Sequence, residues 1–212
     1  MPVCATDRYD TQRDPRRTPC PGAVGGEKNI VSYIVTVKIC GTSPMLLHAW
    51  KPDAIFEKTC TRARKQTLEE EMESRVYRTE GGNIGIPGEY LRHSVIGAAR
   101  FRRDPRSPRK SAEVLFKSIV SLTELADTGK ATWDRLDVRK ITIMRTNLTR
   151  RRPMLDAGWE ATFLFLVDNE EQIPPDAFRE TLSLAGRMIG IGDFRPAFGR
   201  FEVVSFEVEE AA

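Results

Sequence analysis

The chain has 212 residues, with 33 Lys or Arg against 30 Asp or Glu, a net charge of +3 and 40% apolar residues. That balance excludes a wholly disordered chain, and no apolar run approaches the roughly 20 residues of a membrane-spanning helix. Two histidines exclude a histidine-rich metal centre, and neither a metal nor a cofactor is expected.

Residues 1–28 are rich in Pro, Gly, Arg and Asp and have no period, so they read as a disordered tail. The stretch MPVCATDRYDTQRDPRRTPCPG has no apolar h-region, so a secretory signal is not expected. The cysteines Cys4, Cys20, Cys40 and Cys60 form no C-x-x-C pair and are expected as reduced thiols. IVSYIVTVKIC (Ile30–Cys40) is a nearly continuous β signal, ended by Gly41 and Pro44. Over 53–79, Leu68, Met72 and Val76 share one helical face. Gly81-Gly82-Asn83 breaks that pattern.

Ile84 and Ile86 read as a short extended piece before a helix over 88–101, which Pro87 opens. Leu91, Val95, Ala98 and Phe101 form its apolar face. Pro105 and Pro108 stop the helix, leaving RRDPRSPRK as a mobile basic loop. The segment 112–126 is ambiguous, with a strand at Val114–Leu122 preferred. Val138–Met144 reads as a strand, with a basic turn after it at Thr149–Arg152, and Trp159–Val167 as another strand. Pro174-Pro175-Asp176 start a helix with the face Phe178, Leu182, Ala185 and Ile189, which Gly190 closes. The last strand, FEVVSFEVE, slips its alternation once at Val204-Ser205.

The core order is therefore β (30–40), α (88–101), β (138–144), β (159–167), α (176–189), β (200–208). That is an α+β class with the ferredoxin-like, RRM-like β-α-β-β-α-β pattern. One domain over 29–212 is expected, with an inserted helical segment at about 50–83 and a second insertion, carrying basic loops, at about 102–137. The first and third strands, central in that fold, are the most continuously apolar. The fold alone gives no function.

The near-neutral total hides separate territories. Acids gather at Glu69-Glu70-Glu71-Met72-Glu73 and from Glu207 to Glu210. Bases gather at Arg100, Arg102, Arg103, Arg106, Arg109 and Lys110, and along the acid-free run Arg139–Arg152, which holds Arg145, Arg150 and Arg151. Either run alone fits a solvated face, but two in one domain point to a polyanion.

The segment Gly190–Phe201 (GIGDFRPAFGRF) is the most unusual. Gly190, Gly192 and Gly199 permit positive φ and close backbone approach, and successive bare N–H groups can form an anion nest. Arg195 and Arg200 can pair with phosphates, and Phe194, Phe198 and Phe201 can stack on bases. The same residues also fit a plain connection, with Arg195 paired to Asp193 and the phenylalanines in the core. Arg92 and His93 sit near the positive end of a helix. His48 is the one catalytic candidate, and a general base needs a partner that one sequence does not reveal. No H-E-x-x-H, G-x-S-x-G or paired-Asp motif is present.

The order Gly41-Thr42-Ser43-Pro44-Met45-Leu46-Leu47-His48, then Ile86-Pro87-Gly88-Glu89-Tyr90-Leu91-Arg92, then Gly190–Phe201 resembles a family of uncharacterised bacteriophage and prophage proteins. More remotely it is similar to the RAMP superfamily, the RRM-fold backbone subunits of CRISPR effector complexes. The resemblance runs from about Ile30 to Glu209. It implies non-enzymatic binding of single-stranded RNA or DNA through the sheet, the glycine loop and the basic segments. It also implies side-by-side assembly of copies and a bacterial host; with no long apolar run and no secretory signal, no membrane association and a cytoplasmic location are expected. The residues assigned to nucleic acid are Gly190, Gly192, Arg195, Gly199, Arg200, Arg92, Arg100, Arg103, Arg145, Arg150, Arg151 and Arg152. Two alternatives stay open: a metal-independent RAMP-type endoribonuclease using His48, and a phage structural or interaction protein.

Overall fold

Tyr33–Gly41 alternates buried and half-buried side chains along its whole length, as a strand with one face on a core must. In the computed structural model, which describes residues 32–49, 67–143 and 146–211, this strand is β1 of a mixed α+β architecture. The elements follow in order: β2 (Met45–Leu46), α1 (Leu68–Glu73), β3 (Tyr77–Arg78), β4 (Ile84–Pro87), α2 (Gly88–Ala99), β5 (Arg103–Asp104), β6 (Ser107–Ser111) and α3 (Glu113–Phe116). Then come β7 (Val120–Ser121), β8 (Leu125–Asp127), β9 (Arg135–Ile143), β10 (Thr146–Leu155), β11 (Glu160–Val167), α4 (Pro175–Met188) and β12 (Phe201–Glu210). The expected tail 1–28, Cys4, Cys20, Cys60, Arg145 and most of the inserted segment from position 50 to 66 lie outside the described residues.

The main sheet is antiparallel, in the order β12-β1-β11-β7. Val35 pairs with Phe165 and Val37 with Phe163, so the buried sets of β1 and β11 share one face. Phe178 of α4 packs there, edge-on to Phe165 at 5.8 Å and to Phe206 at 6.1 Å. Burying each such ring contributes about 2–3 kcal/mol. The slip at Val204-Ser205 is a β-bulge: the β1–β12 register shifts between Lys38 and Ile39. The extra residue leaves Val204 exposed and restores the inward alternation at Phe206.

The periodic elements lie within a few residues of their expected spans, and the exceptions have physical reasons. Val138–Met144 does not enter the main sheet. Its residues belong to β9, in a separate sheet of order β2-β10-β9. The fourth place in the main sheet goes to the two-residue β7. Part of the preferred strand Val114–Leu122 is instead helix α3, which buries Leu115 and Phe116. Thr149–Arg152 is not a turn but the middle of β10. RRDPRSPRK folds into the β5–β6 pair, in which Asp104 is buried and accepts from Arg106 at 2.9 and 3.0 Å. In the inserted segment, α1 is short and opened by a capping box between Thr67 and Glu70. Among the described residues, no helix is long and apolar enough to cross a membrane.

Candidate nucleic-acid interface

Between α4 and β12 the glycine loop turns back on itself. Gly190, Gly192 and Gly199 have φ of +76°, +81° and +72°. A Cβ at position 199 would overlap the Ile191 carbonyl, so no other residue fits there. The loop amides turn inward. Ile191 N–H donates to Gly199 O (2.8 Å), Asp193 N–H to Leu46 O (3.1 Å), Gly199 N–H to Pro44 O (2.8 Å) and Arg200 N–H to Ser43 Oγ (2.8 Å). The first of these bonds closes the loop and the other three hold it to the strap at 43–46, so these donors do not form the expected anion nest.

One face of the β9–β10 hairpin presents Asp137, Arg139, Arg150 and Arg152, because Asp137 pairs with Arg152 and Arg139 with Arg150 in the register. This face lies against the loop aromatics. The Arg139 guanidinium sits 4.3 Å from the Phe198 ring centroid, and that of Arg152 sits 4.6 Å from Phe194. Arg152 is only 2% exposed, and its Nε is 2.7 Å from Asp193 Oδ2. It is therefore buried under the loop rather than presented at the surface. Phe201 is also in the core.

On the outer side of the loop, an open groove of about 1040 Å³ runs between α2, α3, the end of α4 and the loop. Its cations are Arg92, Arg100, Lys117 and Arg195, and Phe101 and Phe194 also line it. Phe101 is 61% exposed, which overturns its expected place on the buried face of the helix. It follows the last turn of α2, where the chain leaves the helix before the side chain can reach the core.

The expected residues differ in availability. Arg195 makes no hydrogen bond or ion pair with a described residue and is exposed. Arg100 is exposed but held by Glu113 through Nε (3.0 Å) and Nη2 (3.2 Å). Arg92 is a clamp, donating to the carbonyls of Ile119 (2.6 Å) and Lys117 (2.8 Å) and to Glu89 (3.0 Å). Arg200 donates to Pro196 O within the loop (2.9 Å). Arg151 faces Glu71 of α1 at 3.6 Å. Arg103 lies on the β5–β6 pair and does not line the groove. The two basic tracts thus meet the loop only in part.

The solvent face of the sheet has the wrong sign for phosphate. Glu160, Glu202, Glu207 and Glu209 occupy it, in register with Cys40, Thr36 and Ile34 of β1. Its Lys38 is paired to Glu160 at 2.7 Å.

A second cavity, of about 280 Å³, opens beside the groove and is lined by His48, Tyr90, His93, Gly192, Asp193 and Arg195. The chain's two histidines, 45 positions apart, meet here; Tyr90 carried no signal in the sequence beyond its helical position. Arg75 Nη1 lies 3.3 Å from His48 Nδ1, while Nη2 donates to Glu71 (2.9 Å). A guanidinium can only donate, so Nδ1 is the acceptor and the ring proton sits on Nε2. Burial and the neighbouring Arg75 push the His48 pKa below its ordinary value. Burial, helped by Tyr77, raises that of Tyr90 to about 12. No group of three or more His, Cys, Asp or Glu among the described residues could hold a metal ion.

The sequence matches no protein-family model and no curated protein. Among solved structures it is similar to a chain in the cryo-EM structure of the type III-B Cmr-β bound to cognate target RNA, with a TM-score of 0.54 and 13% identity. The match covers 86% of this chain and 62% of that one. At that identity the likeness is one of fold. It leaves the phage and prophage family without support.

Proposed function

We propose that this protein binds single-stranded RNA in the groove between α2, α3 and the glycine loop, without cleaving it. The observation that carries this reading is the meeting of unpaired Arg195, exposed Arg100 and Lys117, and the solvent-facing rings of Phe101 and Phe194 in one open groove. Cations that track a backbone beside aromatic faces are what sequence-tolerant single-strand binding requires. RNA is preferred to DNA because the structurally similar chain belongs to an RNA-bound complex. In this reading the order β12-β1-β11-β7, with α2 and α4 on one face, is a ferredoxin-like core. The protein is one domain over 29–212 behind a tail, working in the cytoplasm of a bacterial host. Copies assemble side by side along the strand, and a phage or prophage origin belongs to the same reading.

The test is an anisotropy titration of a labelled 12-mer RNA and its DNA equivalent across salt. The expected result is a linear fall of log K with log salt, at about −0.7 per phosphate contact. Binding too weak to measure at about 50 mM salt overturns the proposal.

The convergence of His48, His93, Tyr90 and Arg195 favours one second reading, metal-independent RNA cleavage. Against it, Nδ1 of His48 is engaged by Arg75 and its other nitrogen carries the proton, which leaves His48 no free nitrogen to act as a base. Labelled RNA left intact by both wild type and His48→Ala removes that reading.

A further inference from the structure

The geometry points to the 280 Å³ cavity as a guanine-selective base pocket, filled by a nucleotide of the RNA strand in the adjoining groove. It rests on the RNA-binding reading for the source of the base, but the pocket's chemistry stands apart from it. The cavity shares His93, Gly192, Asp193 and Arg195 with the groove, so a strand lying in the groove passes its mouth.

Its polar groups are of mixed kind. His48 keeps an Nε2–H donor, because Arg75 occupies Nδ1. Arg195 adds an unengaged guanidinium. Asp193 is the acceptor. Its Oδ2 faces Arg152 and its Oδ1 accepts the Phe194 N–H at 2.9 Å. Each carboxylate oxygen offers two lone-pair directions, so one remains on each. Two adjacent acceptors match the N1–H and N2–H pair of guanine, while its O6 and N7 accept from a guanidinium and an imidazole N–H. Adenine, cytosine and uracil do not offer two neighbouring N–H donors of this kind. Tyr90 supplies an aromatic wall of the sort on which single-stranded RNA bases stack. A phosphate is the poorer guest, because it would share the cavity with the Asp193 carboxylate.

The chain's two histidines both line this cavity, which makes ring NMR a direct readout. The wild-type protein is titrated with guanosine, inosine and adenosine, none of which carries a phosphate. Guanosine is expected to shift the His48 and His93 ring signals. Inosine, lacking the 2-amino group, and adenosine are expected to bind about tenfold more weakly. Equal shifts from all three, or none at millimolar guanosine, overturn the pocket. Asp193→Asn, which keeps an acceptor oxygen toward Arg152, is expected to remove the preference of guanosine over inosine; a preference retained in this variant also overturns it. In a second arm, a U-rich 12-mer with one central G is expected to bind about tenfold more tightly than its all-U counterpart. Guanosine selectivity without that gain supports the pocket and overturns RNA as its source.

Discussion

Arg152 Nε lies 2.7 Å from Asp193 Oδ2, joining β10 to the glycine loop beneath the candidate interface. Nη1 of the same guanidinium is buried without a hydrogen-bond partner, and the group rests on the Phe194 ring. Charge and stacking therefore hold the pair, with little hydrogen-bond complement. Asp193→Ala strands a buried cation and is expected to cost about 2–3 kcal/mol, less than a fully buried pair because Asp193 is one-third exposed. Arg152→Met keeps the volume and lets the carboxylate hydrate, so it is expected to cost less. Urea unfolding of both variants at pH 7 checks the order.

Gly199 and Gly158 both have positive φ, but only Gly199 is crowded by neighbouring backbone. Gly158→Ala is expected to cost about 1–2 kcal/mol from backbone strain alone. Gly199→Ala adds overlap with the Ile191 carbonyl and is expected to cost about 3 kcal/mol or more. Thermal and urea unfolding of the two variants separate strain from crowding.

Glu113 pairs with both Arg100 and Lys117 in the groove. Glu113→Gln releases both cations and is expected to tighten RNA binding about threefold at low salt. Arg195→Ala is expected to weaken binding and flatten the salt slope by about 0.7. Lys38→Glu, on the acidic sheet face, is expected to leave RNA affinity unchanged. Salt-dependent anisotropy titrations read all three.

The His48 pKa is lowered in the folded state by burial and by Arg75, with Arg150 and Arg152 adding to the effect and Asp193 opposing it. Below about pH 6.5 the unfolded chain takes up a proton that the folded chain refuses. The stability His48 contributes is thus present above that pH and lost as pH falls toward the folded-state value. Urea midpoints at pH 7.5, 6.5 and 5.5 are expected to fall in that order, and His48→Gln to flatten the trend.

Much of the architecture is legible residue by residue. Nearly continuous apolar runs placed β1 and β11, helical spacing placed α2 and α4, and the single slip at Val204-Ser205 is the bulge seen against Lys38 and Ile39. The site was harder to read. GIGDFRPAFGRF has the composition of an anion cradle, yet its amides bind Pro44, Ser43 and Leu46, about 150 residues away in the chain. Arg152 belongs to a run that looks like a solvated face, and only the hairpin register turns it inward. Val138–Met144 looked like a core strand because a β-branched segment reads the same in a separate hairpin as in the main sheet. Nothing local tells which partner a strand will find.

By itself, then, the sequence determined that the long segments 33–41, 88–99, 160–167, 175–188 and 201–210 are strands and helices, that the net charge of +3 divides into acidic and basic territories, and that the glycine loop is conformationally special. Period and backbone sterics are local properties, readable within a few residues. The tertiary structure alone decided which arginines remain available, that the sheet face is acidic, and that two histidines meet Tyr90, Asp193 and Arg195 in one cavity. Those outcomes depend on strand register and on contacts between distant segments, where pairing and burial, rather than residue type, fix whether a charge reaches solvent.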